Sequence, residues 1–261
     1  MQVKNLHKLK DWEDYYTKHA PLQVKSGFFN SYDIFLCDSL IAKHIPKFKG
    51  IKEKPLICEI GSGDGKLLKK FALMLNREPL GIEYSKKAAK VAEKNGVKTI
   101  VADAFDKKFT TKFKNRFDVV FSYGFVEHII PPEKAIDLHL ELVKPGGYFI
   151  VQIPRFKGFN FLRLKLFRPD LIKNHNLEIM DEEVLGKLCK NPNVKKIYCG
   201  NYGTLKLRLP MENKDYKYYL LKLICSLDYI LNPTLRMLFG TKGFETRLFS
   251  PSVMFIGQKK K

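Results

Sequence analysis

Between Leu56 and Ile153, short apolar runs alternate with stretches in which apolar residues recur every three or four positions. Leu56–Ile60 reads as a buried strand. Lys66–Leu75 has helical spacing, with Leu67, Leu68, Phe71 and Leu75 on one side. Leu80–Glu83 predicts a second strand. Ser85 is placed to cap a helix through Lys94, which Asn95-Gly96 would end. Val97–Val101 and Phe117–Phe121 predict the third and fourth strands. Pro131–Val143 reads as a helix opened by prolines. Lys144-Pro145-Gly146-Gly147 has the chemistry of a type II turn, and Tyr148–Ile153 predicts a fifth strand. This rhythm means βαβ units with right-handed crossovers, hence an α/β doubly wound (Rossmann-like) parallel sheet between helical layers.

The flanks follow another pattern. Residues 1–50 predict a helical N-terminal cap, whose part from residue 11 onward is rich in aromatics such as Trp12, Tyr15 and Tyr16. Residues 51–261 would form the main domain, with its core at 51–154. Two segments, 155–180 and 203–247, are expected to be lids over that core. Val194–Tyr198 and Val253–Gly257 read as two further strands, with the long insertion between them. Tyr216–Leu231 is apolar around most of its circumference, but Lys217, Lys222 and Asp228 interrupt it, so it does not predict a bilayer span.

Charge adds a constraint. The 261 residues carry a formal net charge of +20, with 45% hydrophobic and 28% charged residues. Residues 155–261 hold 21 basic and 9 acidic side chains, so most of the excess lies there. An anionic partner, namely nucleic acid, a phospholipid surface or a phosphorylated substrate, fits this bias. The five cysteines include no C-x-x-C pair, which argues for a reduced compartment and against disulfides or a zinc site. The N-terminus lacks a signal-peptide core, so a cytoplasmic protein is expected, with peripheral membrane contact through the basic, aromatic lid.

The strand Leu56–Ile60 runs into Gly61-Ser62-Gly63-Asp64-Gly65. Such a turn lets backbone approach a ligand closely. The third glycine comes two residues after the second, whereas a dinucleotide fingerprint needs three. Glu59 precedes the glycines on the strand, where it could face an ammonium group. Glu83 ends the second strand, placed to accept hydrogen bonds from ribose hydroxyls. Asp103 follows the third strand and could accept from an adenine amino group. Three carboxylates at successive strand ends point to one crevice at the carboxyl edge of the sheet.

Taken together, these residues resemble the motifs of class I S-adenosylmethionine (SAM)-dependent methyltransferases. Cys58 to Gly65 is similar to the first motif, Gly81-Ile82-Glu83-Tyr84-Ser85 to the second and Ala102-Asp103-Ala104 to the third. Phe117 to Ser122 is similar to the fourth, and Leu142 to Gly147 to the turn that follows. The resemblance covers residues 50–154 and implies SAM as cofactor. It implies that Glu59, Gly61, Gly63 and Gly65 hold the methionine end, Glu83 the ribose and Asp103 the adenine. Ser62, Tyr84, Ala104 and Ser122, in the same motifs, complete the expected cofactor set. It also implies a seven-stranded sheet whose last strand is antiparallel.

The loop Ser122-Tyr123-Gly124-Phe125-Val126-Glu127-His128-Ile129 should lie beside the transferred methyl. Glu127 and His128 are the candidate bases, with His175 a second catalytic candidate. Tyr16, Tyr32 and Tyr123 are candidates to close over the cofactor. The Glu127-His128 ending resembles small-molecule O-methyltransferases, some of which bind a divalent metal. Gly124 stands where those have another acid, so no metal is expected. Val151-Gln152-Ile153-Pro154 resembles the strand ending of sugar, quinone and lipid methyltransferases. The expected substrate is a small molecule, a glycan sugar or a lipid-linked saccharide, with Arg155–Arg168 and Tyr216–Leu231 as docking surfaces. RNA is the alternative, supported by charge and interleaved aromatics. A SAM-binding scaffold without catalysis is a third reading, which the intact acidic residues disfavour.

Overall fold

A computed structural model describes residues 3–18, 32–50, 55–207, 209, 216–243 and 245–261. The chain opens with β1 (Lys4–Asn5), α1 (Leu9–Lys18) and α2 (Tyr32–His44). It continues through β2 (Leu56–Ile60), α3 (Lys66–Leu75), β3 (Glu78–Glu83), α4 (Lys86–Lys94), β4 (Thr99–Val101), α5 (Lys107–Phe113) and β5 (Phe117–Tyr123). A short 3-10 turn (Val126–His128) precedes β6 (Ile129–Ile130), α6 (Glu133–Leu142) and β7 (Val143–Pro154). Then come α7 (Phe159–Phe167), α8 (Pro169–Lys173), α9 (Glu182–Leu188) and β8 (Val194–Tyr202). The chain ends with α10 (Tyr216–Ser226), α11 (Asp228–Phe239) and β9 (Ser252–Lys259).

Seven strands form one sheet in the order β4-β3-β2-β5-β7-β9-β8. The pairs from β4 to β7 are parallel, and β9 inserts antiparallel between β7 and β8. This is the expected doubly wound sheet with an antiparallel last strand. Helices cover both faces, so the central strands are buried on both sides. Ile57, Val119 and Ile150 pack with α2 and α3 on one face. Cys58, Val120 and Phe117 pack with α5 and α6 on the other. Asp118 pins the start of β2 through Leu56 N–H at 3.0 Å and pairs with Lys144 at 3.2 Å.

Boundaries differ where caps take up residues. The third strand starts at Thr99 rather than Val97, because Val97 belongs to the cap that follows α4. Its N–H bonds Ala92 O at 3.0 Å after Gly96 turns at φ 78°. Ser85 caps α4 as expected, accepting from Ala88 N–H at 3.2 Å. Gly146 has φ 80°, the conformation a type II turn requires at that position.

The N-terminal segment divides in two. In α2, Leu36, Cys37 and Ile41 belong to the main core. Before it, β1 pairs antiparallel with β6, matching Lys4 to Ile130 and Asn5 to Ile129. Residues 19–31, including Phe28 and Phe29, lie outside the described residues. Within the lid segment Arg155–Arg168, the arginines Arg155, Arg163 and Arg168 are buried, so they do not contribute to an outward surface. Arg155 and Arg163 donate to the carbonyls of Ser250 and Lys206, and Arg168 forms a two-pronged pair with Asp170.

Candidate functional site: the glycine turn and the histidine cluster

Parallel pairing sets the carboxyl ends of β2, β3 and β5 side by side, with Glu59 opposite both Gly81 and Phe121. From β2 the chain enters the glycine turn, where Gly61, Gly63 and Gly65 have φ of 71°, 53° and 74°. A side chain would be strained at each. A Cβ on Gly65 would also press on Ala92 and Val97 at 3.0 Å, so this glycine lets α3 start against α4. Gly81 leaves room for Ser62, whose buried hydroxyl has no hydrogen-bond partner.

Glu83 closes the turn from the neighbouring strand. Its carboxylate accepts Gly63 N–H and Ser85 N–H, each at 2.8 Å. Burial raises its pKa, against the lowering effect of these backbone donors. Glu59 is more deeply isolated. It is buried, its Oε2 has no hydrogen bond, and its pKa is pushed well up by burial and then by Asp64 and Glu83. A buried carboxyl with one oxygen left without a donor, beside a turn that only glycine can make, fits the ammonium of an amino-acid-bearing cofactor. Asp103 is exposed and accepts Phe105 N–H at 2.9 Å, while Ala104 is buried behind it. Tyr84 is exposed. Ser122 is fully buried, and its hydroxyl lies 3.0 Å from His139 Nε2, engaged in the core rather than free for a ligand.

The loop after β5 brings Phe125 to the glycine turn, 3.2 Å from where a Cβ on Gly61 would stand. Immediately beyond it, ligand-type atoms of Glu127, His128 and His175 all lie within 4.8 Å of one another. The two rings have centroids 4.5 Å apart. His128 Nδ1 lies 3.3 Å from Asn174 O, and His175 Nδ1 lies 2.6 Å from Leu171 O. A carbonyl only accepts, so each Nδ1 carries the proton and each Nε2 is left with its lone pair. His128 Nε2 stands 3.9 Å from Glu127 Oε1. Burial holds the pKa of His128 down to about 3 and that of His175 down to about 4. Burial pushes Glu127 up to about 8. All three groups are therefore neutral at neutral pH. Two imidazoles and a carboxyl so arranged can accept a proton, and they are also the donor types that hold a divalent cation.

His7 and Trp12 escaped the sequence reading. The β1–β6 pairing carries His7 to 4.9 Å and Trp12 to 5.4 Å from the His128 ring. Helix α1 also reaches the cofactor crevice, where Ser85 Oγ donates to Glu13 at 2.9 Å. Of the tyrosines expected to close the site, Tyr32 lies in the core and donates to Gly240 O at 2.7 Å. Tyr123 is partly buried against that core, and the side chain of Tyr16 lies outside the described residues.

Comparison with known proteins accords with this geometry. Residues 58–151 match the family model described as a methyltransferase domain. An uncharacterized protein of Methanocaldococcus jannaschii is 33% identical over 113 residues, 43% of this chain and 48% of that protein. A tRNA U34 carboxymethyltransferase of Desulfotalea psychrophila is 29% identical over 124 residues, 45% of this chain and 37% of that enzyme. The chain thus spans less than half the length of these relatives. Among solved structures, geranyl diphosphate C-methyltransferase of Streptomyces coelicolor superposes with a TM-score of 0.58 at 10% identity, covering 96% of this chain and 97% of that one. Residues 58–151 thus resemble a methyltransferase domain, and the sheet has the fold of solved SAM-dependent methyltransferases. The Streptomyces coelicolor structure holds S-adenosyl-L-homocysteine.

Proposed function

We propose that this chain is a SAM-dependent methyltransferase acting on a hydroxyl of a small molecule, a glycan sugar or a lipid-linked saccharide. The observation that carries the reading is the Glu127–His128–His175 cluster, with Glu127 and His128 buried, just beyond the Phe125 that packs on the glycine turn. SAM supplies an already activated methyl group, so the protein needs to align an acceptor and remove its proton. Glu59 binds the cofactor's ammonium, Glu83 binds the ribose, and Asp103 is placed for the adenine. His128 accepts the acceptor's proton at Nε2. The Glu127 carboxyl oxygen stands 3.9 Å from that nitrogen, where its dipole stabilises the imidazolium so formed. His175, fixed by Leu171 O, holds the His128 ring in position.

RNA methylation is the second reading, favoured by the net charge of +20 and by the tRNA-modifying relative. Labelled-methyl transfer tests both. Incorporation into saccharide or organic-extractable acceptors supports the hydroxyl reading. Label found only in RNA, with steep salt sensitivity of RNA binding, would replace it.

A further inference from the structure

The lid is built with its polarity reversed. Its polar groups face inward: Arg163, Asp228 and Asn232 are buried, as is Asp33 from α2. Asn232 accepts Tyr32 N–H at 2.7 Å, and Lys206 pairs with Asp33 at 3.3 Å. The outward faces are apolar. On α10, Tyr216, Tyr219, Leu220 and Leu223 are exposed and recur at three- and four-residue spacing, so they form one stripe. On α11 the stripe is Tyr229, Ile230, Met237 and Leu238, with Met237 77% exposed. Leu162 and Leu166 of α7 continue it, and the Lys217 ammonium reaches Leu166 O at 3.4 Å across the gap. An apolar surface shared by three helices is more than scattered exposure, and it marks a contact face.

Charge identifies what covers this face. Lys217 and Lys222 flank the α10 stripe and Lys165 sits between the α7 leucines. The only carboxylate on these three helices is the buried Asp228. In a symmetric contact with a second copy, lysines would face lysines without acidic partners. An anionic lipid surface supplies the missing negative charge, and its headgroup boundary suits the exposed tyrosines. No helix among the described residues is long and apolar enough to cross a membrane. Helices of 11 and 12 residues span roughly 17–18 Å against a hydrocarbon core of about 30 Å. We propose that α7, α10 and α11 form a monotopic docking face that lies in the interface of an anionic bilayer. The proposal stands apart from the methyl-transfer reading and, combined with it, favours a lipid-linked acceptor.

Flotation of the full chain with phosphatidylcholine vesicles, with and without phosphatidylglycerol, tests the proposal. The protein is expected to float with anionic vesicles and to bind neutral ones much less. Leu223→Glu with Ile230→Glu changes positions 70% and 68% exposed, so the fold is expected to persist, as a circular-dichroism melt would verify. The double variant is expected to lose vesicle affinity by about tenfold or more. Equal binding by the variant would overturn the proposal, as would absence of wild-type binding. A dimer in sedimentation velocity that the same variant dissociates, without vesicle binding, would assign the face to a second copy instead.

Discussion

His128 and His175 stand ring to ring at 4.5 Å, each with its Nδ1 turned to a backbone carbonyl. One comes from the loop after β5, the other from the lid just beyond α8. Asn176 N–H also bonds Glu127 O at 2.9 Å, so lid and loop are tied through both backbone and rings. The Asn174 carbonyl at Nδ1 gives His128 a fixed tautomer, which a base needs before it can act.

His128→Ala should therefore lower kcat by about 10²–10⁴ while leaving SAM affinity unchanged. His175→Ala should act more weakly, through positioning. Single-turnover methyl transfer with a matched SAM titration checks both. Unchanged turnover in His128→Ala would remove it from the reaction.

The same cluster sets a metal question with a clean readout. Gly124 adds no carboxylate to the cluster, so turnover is expected to survive dialysis against a chelator. A loss of activity that Mn²⁺ or Zn²⁺ restores would shift Glu127, His128 and His175 from proton transfer to metal binding.

Some of this was legible in sequence and some was not, for physical reasons. The glycine turn, Glu59, Glu83 and the strand–helix rhythm are local patterns, and they appear where expected. The place of His7 beside His128 depends on pairing two-residue strands from distant parts of the chain, which no local pattern encodes. Ser122 looked like a cofactor residue by motif, yet its partner His139 lies on the next helix. The inward arginines of the lid were illegible because α7 is apolar on several faces, so periodicity could not say which side faces the core.

Glu83 gathers two backbone N–H groups of the cofactor crevice, from Gly63 and Ser85. Glu83→Ala removes the proposed ribose acceptor and leaves both donors without their partner. SAM affinity should fall about 10- to 100-fold, equivalent to about 1–3 kcal/mol. Titration calorimetry decides, and wild-type affinity in the variant would refute the assigned cofactor role.

Glu59 offers a proton-linked test of the same site. Its pKa is raised by burial, then by Asp64 and Glu83, which favours the protonated form in the free protein. A cofactor ammonium favours the ionised form, so SAM binding should release a proton. The release should appear as a binding enthalpy that varies with the ionisation heat of the buffer. It should shrink at high pH, where Glu59 is already ionised, and vanish in Glu59→Gln. Buffer-independent enthalpy in the wild type would contradict the pairing.

His139 links stability to pH away from the site. It is fully buried between Ala135 O at 2.6 Å and the Ser122 hydroxyl at 3.0 Å. Its Nδ1 donates and its Nε2 accepts, an arrangement only the neutral ring can make. Burial holds its pKa down to about 4, whereas an unfolded histidine titrates near 6.5. Above about 6.5 both states are neutral and the full stability is present. As the pH falls from there toward 4, the unfolded chain takes up a proton that the folded chain refuses, and stability is lost. Urea unfolding across that window should show a falling midpoint. His139→Gln should flatten part of the slope, leaving the share of the other buried histidines, at a cost of about 1–3 kcal/mol at neutral pH from the disturbed bonds. An unchanged slope in the variant would mean that His139 is not held neutral.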